Sequence, residues 1–344
     1  MEEIKVLGMD LGFGAAKAFT VLQKEGGATP ASIVLPFVLA TYDGRTLDAM
    51  GGNFRIATRP DVLKVDGAQY LVGEGSEKYS ANLLEAGDME RLSGPEARLM
   101  IYATLAKLFG AETEIVIRQM VCGLPIAVYQ AENTRQLRES VRNRFVGEHR
   151  FVFNEQSYHI TIEKVGVVPQ ALGAVTDYFV DLNNRNIPGR EMELATNGQR
   201  DLVGVISLGN RTIDMILLQG TEIFPVGTAG EPLGVRTLLE QVQGRMNGYS
   251  LGELDQRLRT GKLSCHEERI LWQRQVADMV NRRWGNIQGR LGRVVLVGGG
   301  VYLLPNREGR PHPGAIGLPE VTFIPDDPVL SVARGLYKIG FGKK

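Results

Sequence analysis

Two short turns carry glycines where a backbone can approach an anion closely. The first is Asp10-Leu11-Gly12-Phe13-Gly14, ending the alternating stretch Ile4 to Asp10; the second is Ser207-Leu208-Gly209-Asn210-Arg211-Thr212, followed by Ile213-Asp214. Without a Cβ, a glycine admits unusual φ and removes the bulk that keeps backbone N–H groups away from a polyphosphate. A third run, Gly298-Gly299-Gly300, follows the apolar stretch Val294 to Val297. A lone DxGxG is more often a tight structural turn than a phosphate cradle; its recurrence at Gly209, with the triple glycine, favours the cradle. Two other cradles are excluded. GxxxxGK[ST] fails because Gln256 stands where Gly261-Lys262 requires a glycine, and GxGxxG fails because Lys17 occupies its last position.

The elements that must hold these turns alternate between strand and helix patterns. Ala18 to Leu22 answers the first strand as a hairpin, and Ile213 to Leu218 answers Leu202 to Ile206 in the same way, which predicts a duplicated unit. Asp66-Gly67 predicts a further hairpin between Val65 and Val72. Ser93-Gly94-Pro95-Glu96 reads as a capping box before a helix with Leu99, Tyr102, Ala103 and Ala106 on one face. Glu114 to Cys122 reads as one strand ending at Gly123-Leu124-Pro125, and Ala131 to Phe145 as a surface helix. Asn183 to Arg200 is the linker candidate. In the second half, Gly227 to Gly234 reads as a loop before a helix from Val235 to Arg245, Glu267 to Gln288 as a longer helix, and Val329 to Lys338 as the last. This alternation predicts α/β architecture.

A length of 344 residues fits two domains better than one core. Thirty-nine basic residues balance 39 acidic ones, which argues against a large nucleic-acid footprint. Cys122 and Cys265 form no CxxC, and His149, His159, His266 and His312 no cluster, so neither a disulfide framework nor a zinc site is supported. Met1-Glu2-Glu3 lacks the basic start of a signal peptide and no run of about 18 apolar residues occurs, so a cytoplasmic location without membrane contact is expected.

In order and spacing, Asp10-Leu11-Gly12-Phe13-Gly14 with Lys17, Ser207 to Asp214, and Leu296-Val297-Gly298-Gly299-Gly300-Val301-Tyr302 resemble the two phosphate motifs and the adenosine motif of the actin and sugar-kinase superfamily. Gly123-Leu124-Pro125 and Ser331 to Tyr337 resemble its prokaryotic branch, the ParM and Alp type plasmid-segregation actins and their archaeal relatives. The resemblance implies two similar RNase H-like lobes around a nucleotide cleft, with residues 1–168 plus 325–344 as domain I and 169–324 as domain II. It implies ATP, or alternatively GTP, with Mg2+. Asp10 matches the carboxylate that acts through the waters of the metal, and Lys17 the point charge that meets the phosphates. Gly12, Phe13, Gly14, Gly209, Asn210, Arg211 and Thr212 match the phosphate turns. Gly298, Gly299, Gly300 and Tyr302 match the adenosine site, which Gly230 and Gly234 help to shape. Gln170 falls where the family orients the attacking water.

The second motif departs from the family. Ser207 stands where an aspartate is usual, with Asp214 the remaining acidic position and a second metal-water candidate. Loss of an outer-shell carboxylate typically costs about 10 to 100-fold in metal affinity or activity, so slow hydrolysis is expected unless Asp214 compensates.

The resemblance implies a filament-forming ATPase that stacks head to tail, serving plasmid or DNA segregation or cytoskeletal organisation and reaching DNA through an adaptor protein. Thr41 to Gly75, Asn183 to Arg200 and Tyr249 to His266 are the candidate contact surfaces. The alternatives are a non-polymerising nucleotide-binding scaffold, which Ser207 favours, and a small-molecule kinase, for which no additional carboxylate base declares itself.

Overall fold

The computed structural model describes residues 2–24, 27–43, 60–76, 79, 83–84, 94–129, 133–190, 201–220, 222–305 and 309–342. They fall into two compact units, Met1–Cys122 with Glu132–Val167 and Gly123–Ala131 with Val168–Lys344.

The elements of the first unit begin with β1 (Glu2–Ile4), β2 (Leu7–Leu11), β3 (Ala15–Lys24), β4 (Gly27–Pro36), β5 (Leu39–Thr41), β6 (Asp61–Val65) and β7 (Ala68–Val72). The expected hairpin at Asp66-Gly67 is present: Val65 pairs with Ala68, and φ values of 50° and 81° at Asp66 and Gly67 suit the twist of the flanking strands. Helix α1 (Pro95–Phe109) follows, with Leu99, Tyr102, Ala103 and Ala106 all buried as expected. Gly94 occupies its N-cap position without a side-chain bond, and Ser93 of the expected capping box lies outside the described residues.

The strand expected over Glu114 to Cys122 is two strands, β8 (Glu114–Ile117) and β9 (Met120–Leu124), belonging to different sheets. The break falls at Arg118-Gln119. There Arg118 N donates to Ile4 O, and its guanidinium is held by Glu3 and Glu163. A short turn of helix α2 (Ile126–Tyr129) leads to α3 (Thr134–Phe145), which starts three residues later than expected. An antiparallel pair not expected from the sequence, β10 (Gly147–Phe153) and β11 (Gln156–Ile162), completes a seven-stranded sheet ordered β1-β8-β11-β10-β6-β7-β5.

The next elements are β12 (Val165–Pro169), α4 (Gln170–Phe179), β13 (Leu202–Leu208), β14 (Ile213–Gln219), β15 (Glu222–Glu231), α5 (Val235–Arg245), α6 (Leu251–Arg259) and α7 (His266–Trp284). The chain closes with β16 (Leu291–Val297), β17 (Thr322–Phe323) and α8 (Ser331–Gly342). The expected loop at Gly227–Gly234 is largely strand: β15 continues to Glu231 because a register shift opposite Met215 and Leu217 keeps it paired with β14. The long helix ends at Trp284, four residues early, and a tighter turn carries the chain from Gly285 to Arg290. Of the expected linker, residues 183–190 form turns anchored by Asp181, and 191–200 lie outside the described residues, as do 44–59 of the first candidate contact surface.

The expected duplication is present in the sheets. One is ordered β12-β9-β2-β3-β4 and the other β17-β16-β13-β14-β15. In each, three successive strands form an antiparallel meander, and a later strand, β9 or β16, joins in parallel beside the first. In the second unit β13, β14 and β16 are buried nearly end to end, so they read as continuous apolar runs, and Trp272, Trp284, Leu238 and Leu239 fill the space against them.

The division into units differs from the expected one in Gly123–Ala131 and in the closing residues, both of which group with the second unit. Of residues 325–344, expected with the first domain, helix α8 packs on α4 in the second unit, where Gly335 meets Gly173: a Cβ on Gly335 would lie 1.7 Å from Gly173 O.

Candidate functional site

The two turns are built on the same register. Asp10 pairs with Lys17 and Leu11 with Ala16 at the tip of β2-β3; Ser207 pairs with Asp214 and Leu208 with Ile213 at the tip of β13-β14. Directly opposed residues on an antiparallel pair present their side chains to the same face. Ser207 therefore holds the place of Asp10, and Asp214 the place of Lys17. The second turn keeps a carboxylate, but on the other strand of its hairpin.

In the first turn Asp10 is buried, and Lys17 Nζ donates to its Oδ2 at 2.7 Å. Gly14 O accepts from Phe37 N at 3.0 Å, tying the tip to the end of β4. Cys122, close enough to feel the charge of Asp10, is fully buried, and burial first and that charge second push its thiol up to about 12. It is a structural thiol, as expected.

In the second turn every tip carbonyl is spoken for. Gly209 O accepts from Val235 N, Asn210 O from Arg236 N, Arg211 O from Gly234 N, and Thr212 O from Gly209 N. The first three donors are the start of α5, so the helix N-terminus is spent on fixing the turn. No cis peptide occurs among the described residues, and in a trans peptide the N–H points opposite to the C=O. The N–H groups of Asn210, Arg211 and Thr212 are therefore turned away from α5 together. Gly234 is required by this packing, since a Cβ there would lie 2.2 Å from Asn210 O. Gly230, the partner of Asp214 on β15, adds no side chain beside the carboxylate, which is buried.

The triple glycine lies against the root of the same turn. Gly298 has φ +94°, and a Cβ on it would sit 2.4 Å from Leu208 O; one on Gly300 would sit 2.8 Å from Leu208 Cβ. Gly298 N donates to Pro328 O, while Gly299 has open space around it. Gly298→Ala is accordingly expected to cost about 1–3 kcal/mol from backbone strain, and more from the clash. Thermal unfolding of the variant measures it, and an unchanged midpoint would contradict this geometry. Tyr302 is 55% exposed at the end of this run, its hydroxyl pKa raised by partial burial and then by the charge of Asp327.

Gln170 opens α4 directly after Pro169, and its side chain packs on Gly123, where a Cβ would come within 2.6 Å of Gln170 Cγ. The second unit thus brings the second turn and the triple glycine together and holds Gln170 at a helix start. The first unit holds Asp10, Lys17 and the first turn.

Among the described residues no three His, Cys, Asp or Glu side chains cluster as metal ligands. Asp10 and Asp214 are each buried at the root of their own turn; a lone carboxylate of this kind suits a small hard cation that keeps most of its water and takes few protein ligands. No helix among the described residues is long and apolar enough to cross a membrane.

Paired sheets of this plan, each with a glycine turn between its first two strands, define the actin-like fold. Residues 8–173 match the family model for the N-terminal domain of actin-like proteins. The match covers just under half of the chain, and the actin-like fold is shared over nearly its full length. Among solved structures it is similar to a 15-stranded ParM filament from Clostridium botulinum, with TM-score 0.70, 17% identity and 99% of each chain covered. It is also similar to apo ParM of psk41, with TM-score 0.68, 13% identity and coverage of 99% and 97%. The archaeal actin homolog Ta0583, in complex with ADP, gives TM-score 0.66, 18% identity and coverage of 98% and 99%. No curated protein matches the sequence.

Proposed function

We propose that this chain binds and hydrolyses ATP with Mg2+ through its two glycine turns, and that it stacks head to tail into filaments. The observation that carries the reading is the second turn, whose carbonyls are held by α5 so that the amides of Asn210, Arg211 and Thr212 point the other way as phosphate donors. Gly12, Phe13 and Gly14 supply the donors of the first turn. Lys17, now on Asp10, supplies a point charge for the phosphates. Asp10 and Asp214 would hold Mg2+ through its waters; a bound Mg2+ neutralises the charge that develops on the phosphate oxygens. Gly298, Gly299 and Gly300 leave backbone bare for the nucleoside, with Tyr302 beside it.

Gln170 orients the attacking water. An amide is too weak a base to take the proton, so its contribution is positional. Self-assembly rests on the ParM filament among the relatives, and a role in DNA segregation, with an adaptor protein as the link to DNA, rests on the same kinship.

Purified protein with Mg2+ and ATP, or GTP in a parallel series, tests the reading. High-speed pelleting that depends on nucleotide, with phosphate release, is the expected result; nucleotide binding with neither would leave a scaffold. Gln170→Ala is expected to slow phosphate release by about 100-fold while nucleotide affinity stays within a few-fold. An equal loss in affinity would assign Gln170 a structural role instead.

A further inference from the structure

The first unit contains a second polar site that shares no residue with either turn. A cavity of about 710 Å³ opens where Arg98 and Tyr102 of α1, Ser140, Asn143 and Arg144 of α3, and His149 of β10 converge. That volume suits a small organic ligand.

The floor of the cavity is neutral. His149 is buried, with Nε2 at 2.9 Å from Phe145 O and Nδ1 at 2.9 Å from Tyr102 Oη. A carbonyl can only accept, so Nε2 carries the proton and Nδ1 accepts from the tyrosine hydroxyl. Burial first, and the charge of Arg98, hold the imidazole below its usual pKa. Tyr102 is further fixed by stacking on Phe151 at 4.5 Å.

The walls are not neutral. Arg98 Nη2 meets Asp66 at 2.6 Å, a carboxylate that is 71% exposed. Arg144 has no ion pair among the described residues, and the Nε atoms of both arginines are buried without an acceptor. The other acid at the rim, Glu148, is engaged through Oε2 by Arg150 and His159, each at 3.3 Å. One guanidinium charge is therefore uncompensated in a partly buried place, beside a hydroxyl and an amide that can also donate. Such a charge is stabilised by an anion.

We propose that this cavity binds a phosphoryl group, with Arg144 and Arg98 as its forked donors and Ser140 and Asn143 completing the shell. Two guanidinium forks with two neutral donors exceed what the two oxygens of one carboxylate accept, whereas a phosphoryl group offers three. The phosphoryl group belongs either to inorganic phosphate or to a small phosphomonoester.

Calorimetric titration of the full chain separates these, using inorganic phosphate and phenyl phosphate against sodium chloride at equal ionic strength. Saturable binding near one per chain is expected, weakened about tenfold or more in Arg144→Gln. Tighter binding of phenyl phosphate assigns a phosphomonoester; equal or weaker binding assigns free phosphate. Asn143→Asp, a change at an exposed position, places a negative charge at the rim and provides a second weakening variant should Arg144→Gln fail to fold. Absence of saturable binding, or binding indifferent to both cavity variants, would overturn the assignment.

Discussion

Asp177→Asn is expected to cost the fold about 3–5 kcal/mol, the largest stability effect of any single exchange considered for this chain. Asp177 lies buried on α4, and four contacts from α8 converge on its carboxylate. Arg334 grips it twice, Nε to Oδ1 at 2.7 Å and Nη2 to Oδ2 at 2.6 Å, while Ser331 Oγ donates at 2.8 Å and Lys338 Nζ at 2.6 Å. Lys338 is only 4% exposed and also donates to Val180 O. With the carboxylate gone, a buried ammonium and a half-buried guanidinium are left facing each other.

The pH dependence of that loss follows from Lys338. Burial, the largest influence on it, holds its pKa below the ordinary 10.5. The folded state thus releases this proton before the unfolded chain does. The cost of the buried charge is full below the folded pKa, and is relieved as pH rises from there toward the unfolded value. Removing Asp177 takes away the attraction that opposes this shift, so the window widens downward in the variant. Urea unfolding at about pH 7 and again at about pH 9 should show the deficit of Asp177→Asn shrinking. A deficit that is constant or grows over this interval would mean that Lys338 is not the source of the cost.

This cluster was not legible in the sequence, and the reason is physical. A single aspartate in an amphipathic helix carries no local signal, and its partners lie more than 150 residues away on α8. The phosphoryl cavity escaped in the same way, since its residues come from α1, α3 and β10, and the β10-β11 pair was itself not expected. The turns were legible because their chemistry is contiguous: strand, glycine tip and answering strand all fall within one short stretch. Alternation over Glu114 to Cys122 concealed a change of sheet, because period-two patterning persists through a break that Arg118 makes with partners distant in sequence. Glycine content suggested a loop at Gly227–Gly234, but most of that segment stays paired in β15.

The same register makes the departure at Ser207 testable as a transposition. Asp214→Asn leaves the second turn without a carboxylate, and a loss of about 10 to 100-fold in Mg2+-dependent phosphate release is expected, as for other outer-shell partners. Ser207 and Asp214 are directly opposed on one face of β13-β14, so a carboxylate placed at 207 occupies the adjacent position, the one that Asp10 holds in the first turn. Ser207→Asp combined with Asp214→Asn should therefore recover most of the lost rate, because the charge has moved only across one rung of the ladder. Ser207→Asp alone brings two carboxylates together, a repulsion that costs stability without metal and that added Mg2+ should reverse in a thermal unfolding series. If the double variant stays as slow as Asp214→Asn, the position of the charge matters rather than its presence. Asp214 would then act through a contact specific to its own strand.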